Sequence, residues 1–148
     1  MYKRQTKICC LLLAKRRQQI FVATSSVGPG ATNMVTAAAV AMSNRLPILF
    51  LPGDTYANRI PDPVLQQVEH FNNPGITAND AFKPVTRYFD RITRPEQIIQ
   101  SFPSAVQTML DPADCGPACI ALSQDIHEYL DLTQYKLCLL YTSPSPRD

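Results

Sequence analysis

Thr24-Ser25-Ser26-Val27-Gly28-Pro29-Gly30-Ala31-Thr32-Asn33 joins a short apolar run to a long stretch of good helix formers. Ahead of it, Ile20-Phe21-Val22-Ala23-Thr24 has the apolar, β-rich content of a buried strand. Behind it, Ala31 to Arg45 predicts a helix that is apolar over most of its circumference (Met34, Val35, Ala38, Ala39, Val40, Met42) and therefore largely buried. Pro47-Ile48-Leu49-Phe50-Leu51 then reads as a second buried strand, closed by Pro52-Gly53. Strand, glycine turn, helix and strand in that order open an α/β fold with a parallel sheet. In such sheets ligands sit beyond the C-terminal ends of the strands, so Gly28 to Asn33 is placed on the ligand-facing rim. Two glycines let the backbone approach a ligand closely, and a helix start offers free N–H groups. A dinucleotide loop would read G-x-G-x-x-G. Here Asn33 stands at the third glycine's position, and Pro29 removes an N–H that a phosphate would use.

The alternation continues downstream. Asp62-Pro63 predicts a helix start, with Asp62 as N-cap, Pro63 in the first turn, and Val64, Leu65, Val68 and Phe71 as the apolar side. Thr93-Arg94-Pro95-Glu96 reads as a capping box for a helix over Pro95–Leu110, whose core face is Ile98, Phe102, Ala105, Val106 and Met109. Pro103 inside that helix predicts a kink. Pro117 to Ser123 is a last apolar strand. The expected sheet contains Ile20–Thr24, Ile48–Leu51 and Ala118–Leu122, all parallel, with helices on both faces.

The chain has 148 residues, room for one domain of ordinary size, and its 45% apolar content is enough for a core and against wholesale disorder. No run approaches the ~18 apolar residues of a membrane span. Met1 to Gln19 holds six basic residues and no acid, whereas Ile20 to Tyr135 holds six basic against eleven acidic. The body is acidic, which gives no electrostatic case for nucleic acid. Five cysteines, three of them in the terminal segments, do not form a disulfide framework. Cys115 and Cys119 have no histidine nearby to complete a zinc pattern and are read as free thiols of a cytoplasmic protein. His70 and His127 stand alone and read as surface or capping residues. Gly53-Asp54-Thr55 with Asn79 downstream imitates the spacing of a metal motif, but Thr55 replaces the second glycine, so no metal ligand is assigned.

Met1–Gln5 and Cys138–Asp148 resemble translated transposase-adapter DNA read through as coding sequence. The expected organisation is a foreign or uncertain segment over 1–19, a partial domain over 20–127, and the start of a linker followed by an adapter-like tail over 128–148.

Thr24-Ser25 with Gly28-Pro29-Gly30-Ala31-Thr32-Asn33, then Leu46-Pro47-Ile48 and Gly53-Asp54, resembles the pyrimidine-binding domain of thiamine-diphosphate-dependent enzymes. Leu65-Gln66-Gln67 and Pro84-Val85-Thr86-Arg87 extend the likeness to the acetolactate-synthase and pyruvate-oxidase branch. Two extra residues before Gly28-Pro29-Gly30, with Leu51-Pro52-Gly53-Asp54-Thr55 and Pro63-Val64-Leu65-Gln66-Gln67, bring it nearer to a branch that hydrolyses a C–C bond of a cyclic 1,2-diketone in inositol catabolism. The resemblance implies an incomplete pyrimidine-domain fold and thiamine diphosphate and Mg²⁺ as cofactors. It implies a small cyclic diketone as substrate and a homodimer or homotetramer for the intact enzyme. It assigns Gly28, Pro29, Gly30, Asn33 and Gln66 to the cofactor and Gln67 to the substrate. Leu65 and Gln67 depart from an aromatic and an acid in acetolactate synthase. The family's catalytic glutamate would precede the glycine turn by about thirty residues. No acid precedes Asp54, so no catalytic residue is assigned, and the Mg²⁺ ligands fall in a diphosphate domain the chain does not carry. A fragment of this kind is expected to be inactive by itself. An acetolactate-synthase-like pyrimidine domain and a non-catalytic α/β ligand-binding or docking domain are the alternatives.

Overall fold

A computed structural model of the chain describes residues 19–58, 66, 68, 72, 73 and 75–126. Its elements are β1 (Phe21–Ser25), α1 (Pro29–Ser43), β2 (Ile48–Asp54), a 3-10 segment (Ala78–Val85), β3 (Tyr88–Ile92), a 3-10 turn (Pro95–Gln97), α2 (Ile98–Leu110), β4 (Ala118–Ser123) and a closing 3-10 turn (Gln124–Ile126). The four strands lie in the order β1-β2-β4-β3, and all three pairings are parallel. The chain crosses the sheet one way from β1 to β2 and the other way from β3 to β4. Right-handed crossovers in opposite directions put their helices on opposite faces.

Each face has its own core. On one, Ala31, Met34, Ala37, Ala38 and Ala41 of α1 pack with Ile48, Phe50, Phe82 and Cys119. The Phe50 and Phe82 rings meet at 5.8 Å. On the other, Ala105 and Met109 of α2 pack with Leu49, Ile92, Ala118, Ile120 and Ile126. β2 is buried on both sides, whereas the edge strand β1 alternates half-buried with exposed residues and leaves Val22 53% exposed. The alternation follows from the period of two along a strand, with only one face of β1 covered by a described element.

The three expected strands and their parallel pairing are present, each within a few residues of its predicted bounds. Several details differ. β3 was not expected, because Asp90-Arg91 interrupts its apolar content. α1 is buried along one stripe rather than all round. Thr32, Asn33, Thr36 and Val40 are exposed, since the alanines seat it closely on the sheet and no described layer lies outside it. In α2, Phe102 is 47% exposed, and Ser101 takes the inward position, its hydroxyl 3.0 Å from that of Tyr88. α2 runs through Pro103 as one helix. Its cap is not the expected pair. Gln97 Oε1 accepts from the backbone N–H groups of Thr93 (2.7 Å) and Arg94 (3.0 Å) and from the Thr93 hydroxyl (3.3 Å). The helix expected from Asp62-Pro63 does not continue through Gln66, which has φ 70° and sits in a turn. Residues 59–65, 67, 69–71, 74 and both terminal segments lie outside the described residues, so the predicted domain bounds, His70 and His127 do too.

Candidate functional site

The glycine turn lies where β1 ends, at the C-terminal rim of the sheet. Ser25 is in register with Pro52, so the turn and the end of β2 are side by side. Gly28 has φ 71° and ψ −125°, a conformation that essentially only glycine adopts without strain. Pro29 follows in the first turn of α1, where its fixed φ fits and its missing N–H costs nothing. The Thr32 amide closes the turn on the Gly28 carbonyl at 3.0 Å. No side chain caps α1.

Four of the predicted cofactor residues are thereby brought together. Gly28 is buried, Gly30 is half-buried, and Pro29 and Asn33 are exposed. Pro29 and Asn33 are four positions apart and so share one helix face. A Cβ on Gly30 would lie 2.6 Å from Ser26 Oγ, so the turn closes over this glycine. Gln66, the fifth, is exposed in a turn of the segment between β2 and β3. Gln67 lies outside the described residues. No side chain between Ile20 and Asn44 is charged, so the turn's own residues are neutral.

Behind the turn stands a polar cluster that the sequence did not disclose. Asp54, at the end of β2, is fully buried. Its Oδ1 accepts from the Thr55 amide at 2.8 Å, and its Oδ2 accepts from Arg91 Nε at 2.6 Å. The same guanidinium donates through Nη2 to Thr77 Oγ1 (2.8 Å) and Asp80 Oδ1 (3.0 Å). Burial pushes the Asp80 carboxyl up, but Lys83, the Thr77 amide and Arg91 together hold it below the usual carboxylate range. Burial likewise opposes the charge on Arg91, and Asp54 and Asp80 outweigh it, keeping the guanidinium charged. Asn79 Nδ2 donates to the Gly53 carbonyl at 2.9 Å. Asp54 is therefore engaged in an ion pair rather than exposed as a metal ligand. Among the described residues no group of three metal-ligating side chains is assembled. The signal available in the sequence was Thr77-Ala78-Asn79-Asp80. It forms a capping box, with Thr77 Oγ1 accepting from the Asn79 amide and Asp80 Oδ2 from the Thr77 amide.

A second carboxylate organises the loop after β2. Asp125 accepts from the Ala57 amide (2.9 Å), the Asn58 amide (3.0 Å) and Asn58 Nδ2 (3.0 Å). Burial raises its pKa, but these donors prevail and hold it low. Cys115 and Cys119 are both free thiols. Burial, then the nearby Asp54 charge, pushes Cys119 far up, and burial with Asp111 raises Cys115, so neither is a thiolate nucleophile at neutral pH. No described helix is long and apolar enough to cross a membrane.

This parallel sheet with its rim turn shares its α/β fold with part of a solved thiamine diphosphate-dependent enzyme. It matches the thiamine diphosphate-dependent 4-hydroxybenzoylformate decarboxylase of Rhodococcus jostii RHA1 with a TM-score of 0.64 and 17% identity, over 84% of this chain and 22% of that one. In sequence, the chain is 56% identical over 120 residues to the 3D-(3,5/4)-trihydroxycyclohexane-1,2-dione hydrolase of Clostridium perfringens, covering 80% of this chain and 19% of that protein. It is 57% identical over 110 residues to the enzyme of the same name from Halalkalibacterium halodurans, covering 74% of this chain and 17% of that one. The chain thus spans about a fifth of the length of the curated relatives it matches. No family model matches it.

Proposed function

We propose that residues 20–126 are part of a thiamine-diphosphate-dependent hydrolase, and that the turn from Gly28 to Asn33 faces the cofactor's aminopyrimidine ring. The intact enzyme, on this reading, uses water to cleave a C–C bond of 3,4,5-trihydroxycyclohexane-1,2-dione in inositol degradation and yields 5-deoxyglucuronic acid. The observation that carries the reading is the pairing of exposed Pro29 and Asn33 on one uncharged face at the sheet's C-terminal rim, in a chain 56% identical to such a hydrolase.

The residues fit the group. An aminopyrimidine needs an apolar wall, an amide partner and no competing charge. Pro29 offers the wall, and the Asn33 amide offers both a donor and an acceptor. The neutrality of the stretch from Ile20 to Asn44 leaves the ring's amino group free of a neighbouring ion. The proline that is missing an N–H also makes this helix start a poorer seat for phosphate than for a ring. When bound, thiamine diphosphate supplies a nucleophilic carbon and an electron sink for C–C cleavage. Gln66 is assigned to the cofactor's reactive side and Gln67 to the substrate, both on the resemblance of Leu65-Gln66-Gln67. The glutamate that protonates the ring and the ligands of Mg²⁺ are assigned to parts of the parent enzyme outside this chain. A cytoplasmic homodimer or homotetramer completes the reading.

A chimera tests it. Residues 20–126 replace the matching stretch of the Clostridium perfringens hydrolase, and consumption of the dione is followed with thiamine diphosphate and Mg²⁺ present. The expected result is cofactor-dependent hydrolysis by the chimera and none by the 148-residue chain alone. A chimera that folds and binds the cofactor but condenses pyruvate instead would transfer the chain to the acetolactate-synthase branch.

A further inference from the structure

The turn and the end of β2 meet backbone to backbone at Gly53. A Cβ there would lie 3.2 Å from the Val27 nitrogen, 3.7 Å from the Ser25 carbonyl oxygen and 3.7 Å from the Ser26 carbonyl carbon. With no side chain between them, a displacement of Gly53 is passed to the turn without a soft contact to absorb it. What fixes Gly53 is therefore what fixes the face carrying Pro29 and Asn33.

Beyond its place in the β2–β4 ladder opposite Leu122, Gly53 is held by side chains from two sides. Its carbonyl accepts from Asn79 Nδ2 at 2.9 Å. The next residue, the fully buried Asp54, is tied to Arg91 Nε at 2.6 Å. Arg91 reaches on to Thr77 Oγ1 at 2.8 Å and Asp80 Oδ1 at 3.0 Å, the two ends of the capping box that also orients Asn79. One guanidinium thus joins β2, β3 and the 3-10 segment Ala78–Val85, and both side-chain restraints on Gly53 lead back to it. A planar fork with fixed donor directions suits such a junction, and the single ammonium of a lysine cannot reproduce it. Asn79 Oδ1 is buried with no partner among the described residues. An orphaned buried acceptor costs stability, which fits a side chain retained for what its other end holds.

We propose that Arg91 is a positioning residue for the glycine turn, acting through Asp54 and Asn79 on Gly53. Its bearing on catalysis rests on the reading of that turn as the cofactor-facing surface, but the coupling itself is a property of this chain. Amide spectra of the ¹⁵N-labelled 148-residue chain measure it without cofactor. Arg91→Lys keeps the charge and loses the fork. Its Val27, Gly28 and Gly30 signals are expected to move further than those of Ala105 and Met109 on the opposite face. Asp80→Asn keeps an oxygen for the Thr77 amide but loses the charge that pairs with Arg91 and Lys83, and it is expected to move the turn's signals less than Arg91→Lys does. A purely stabilising cluster predicts otherwise: changes confined to Asp54 and Thr77–Asp80, or equal effects of the two variants, and either result overturns the proposal. If Arg91→Lys does not fold, Asn79→Ser decides, because it removes the restraint on the Gly53 carbonyl. Shifted turn signals then support the coupling, and unshifted ones refute it. Failure here leaves the cofactor reading standing, since the chimera assay is read independently.

Discussion

The two helices of this fold start at the same rim of the sheet, and their starts are built in opposite ways. α2 is entered through a 3-10 turn, and the Gln97 side chain gathers two backbone N–H groups and a hydroxyl onto one oxygen. α1 is entered directly from Gly28 at φ 71°, with Pro29 next and no side-chain cap. Their outer faces differ as well. Near its start α1 exposes Pro29, Thr32, Asn33 and Thr36, whereas α2 exposes Ile99, Phe102 and Leu110. The amides on the approach to α2, those of Thr93 and Arg94, are already occupied by Gln97 Oε1. The α1 start instead uses a positive-φ glycine to bring a proline and an amide to the surface. On the proposed reading, the α1 start is the one that meets a ligand.

The largest expected stability effect is at the glycine turn. Gly28→Ala places a Cβ on a backbone that disfavours it, and it should cost about 1–3 kcal/mol in denaturant unfolding. A loss as small as that of a surface substitution would mean that the turn relaxes and that the contrast is overstated. Gln97→Ala should cost about 0.5–2 kcal/mol, the range for loss of a helix cap, while leaving cofactor dependence in the chimera unchanged. An effect of Gln97→Ala on the cofactor requirement would erase the distinction between the two starts.

A smaller effect concerns acid. Asp80 and Asp125 both titrate below the usual range in the folded chain, because their donors outweigh burial. A carboxyl lowered on folding contributes stability that is complete above its unfolded value, ~4, and is lost as pH falls through the folded one. The melting temperature should therefore hold from neutral pH to about 5 and decline below about 4. Asp125→Asn should flatten part of that decline. A rise in stability on acidification would contradict the assignment of donors to these carboxylates.

The parallel strands and the turn were legible because central strands are apolar on both faces and glycine and proline mark the turn between them. β3 was hidden by Asp90-Arg91, whose charge is explained only by the partners that Arg91 finds in Asp54, 37 positions earlier, and in Asp80. Spacing also misassigned one position of α2. Phe102 and Ser101 sit on adjacent stripes, and hydrophobicity favours Phe102, but the Tyr88 hydroxyl makes the serine the better inward residue. Pro29 and Asn33 were singled out by the family resemblance, and they lie one helical turn apart beside the glycines. The cluster behind them was not legible, because its members are scattered between Gly53 and Arg91 and come together only through the fold.

The central claim is that the uncapped, neutral start of α1 faces the cofactor. The direct measurement is the thiamine diphosphate concentration giving half-maximal activity in the chimera, compared before and after Asn33→Ala. Asn33 is exposed, so the substitution should alter stability by no more than ~0.5 kcal/mol. Loss of its hydrogen bonding to the ring should raise the half-saturating concentration about tenfold. An unchanged half-saturating concentration in a variant of unchanged stability would contradict the account.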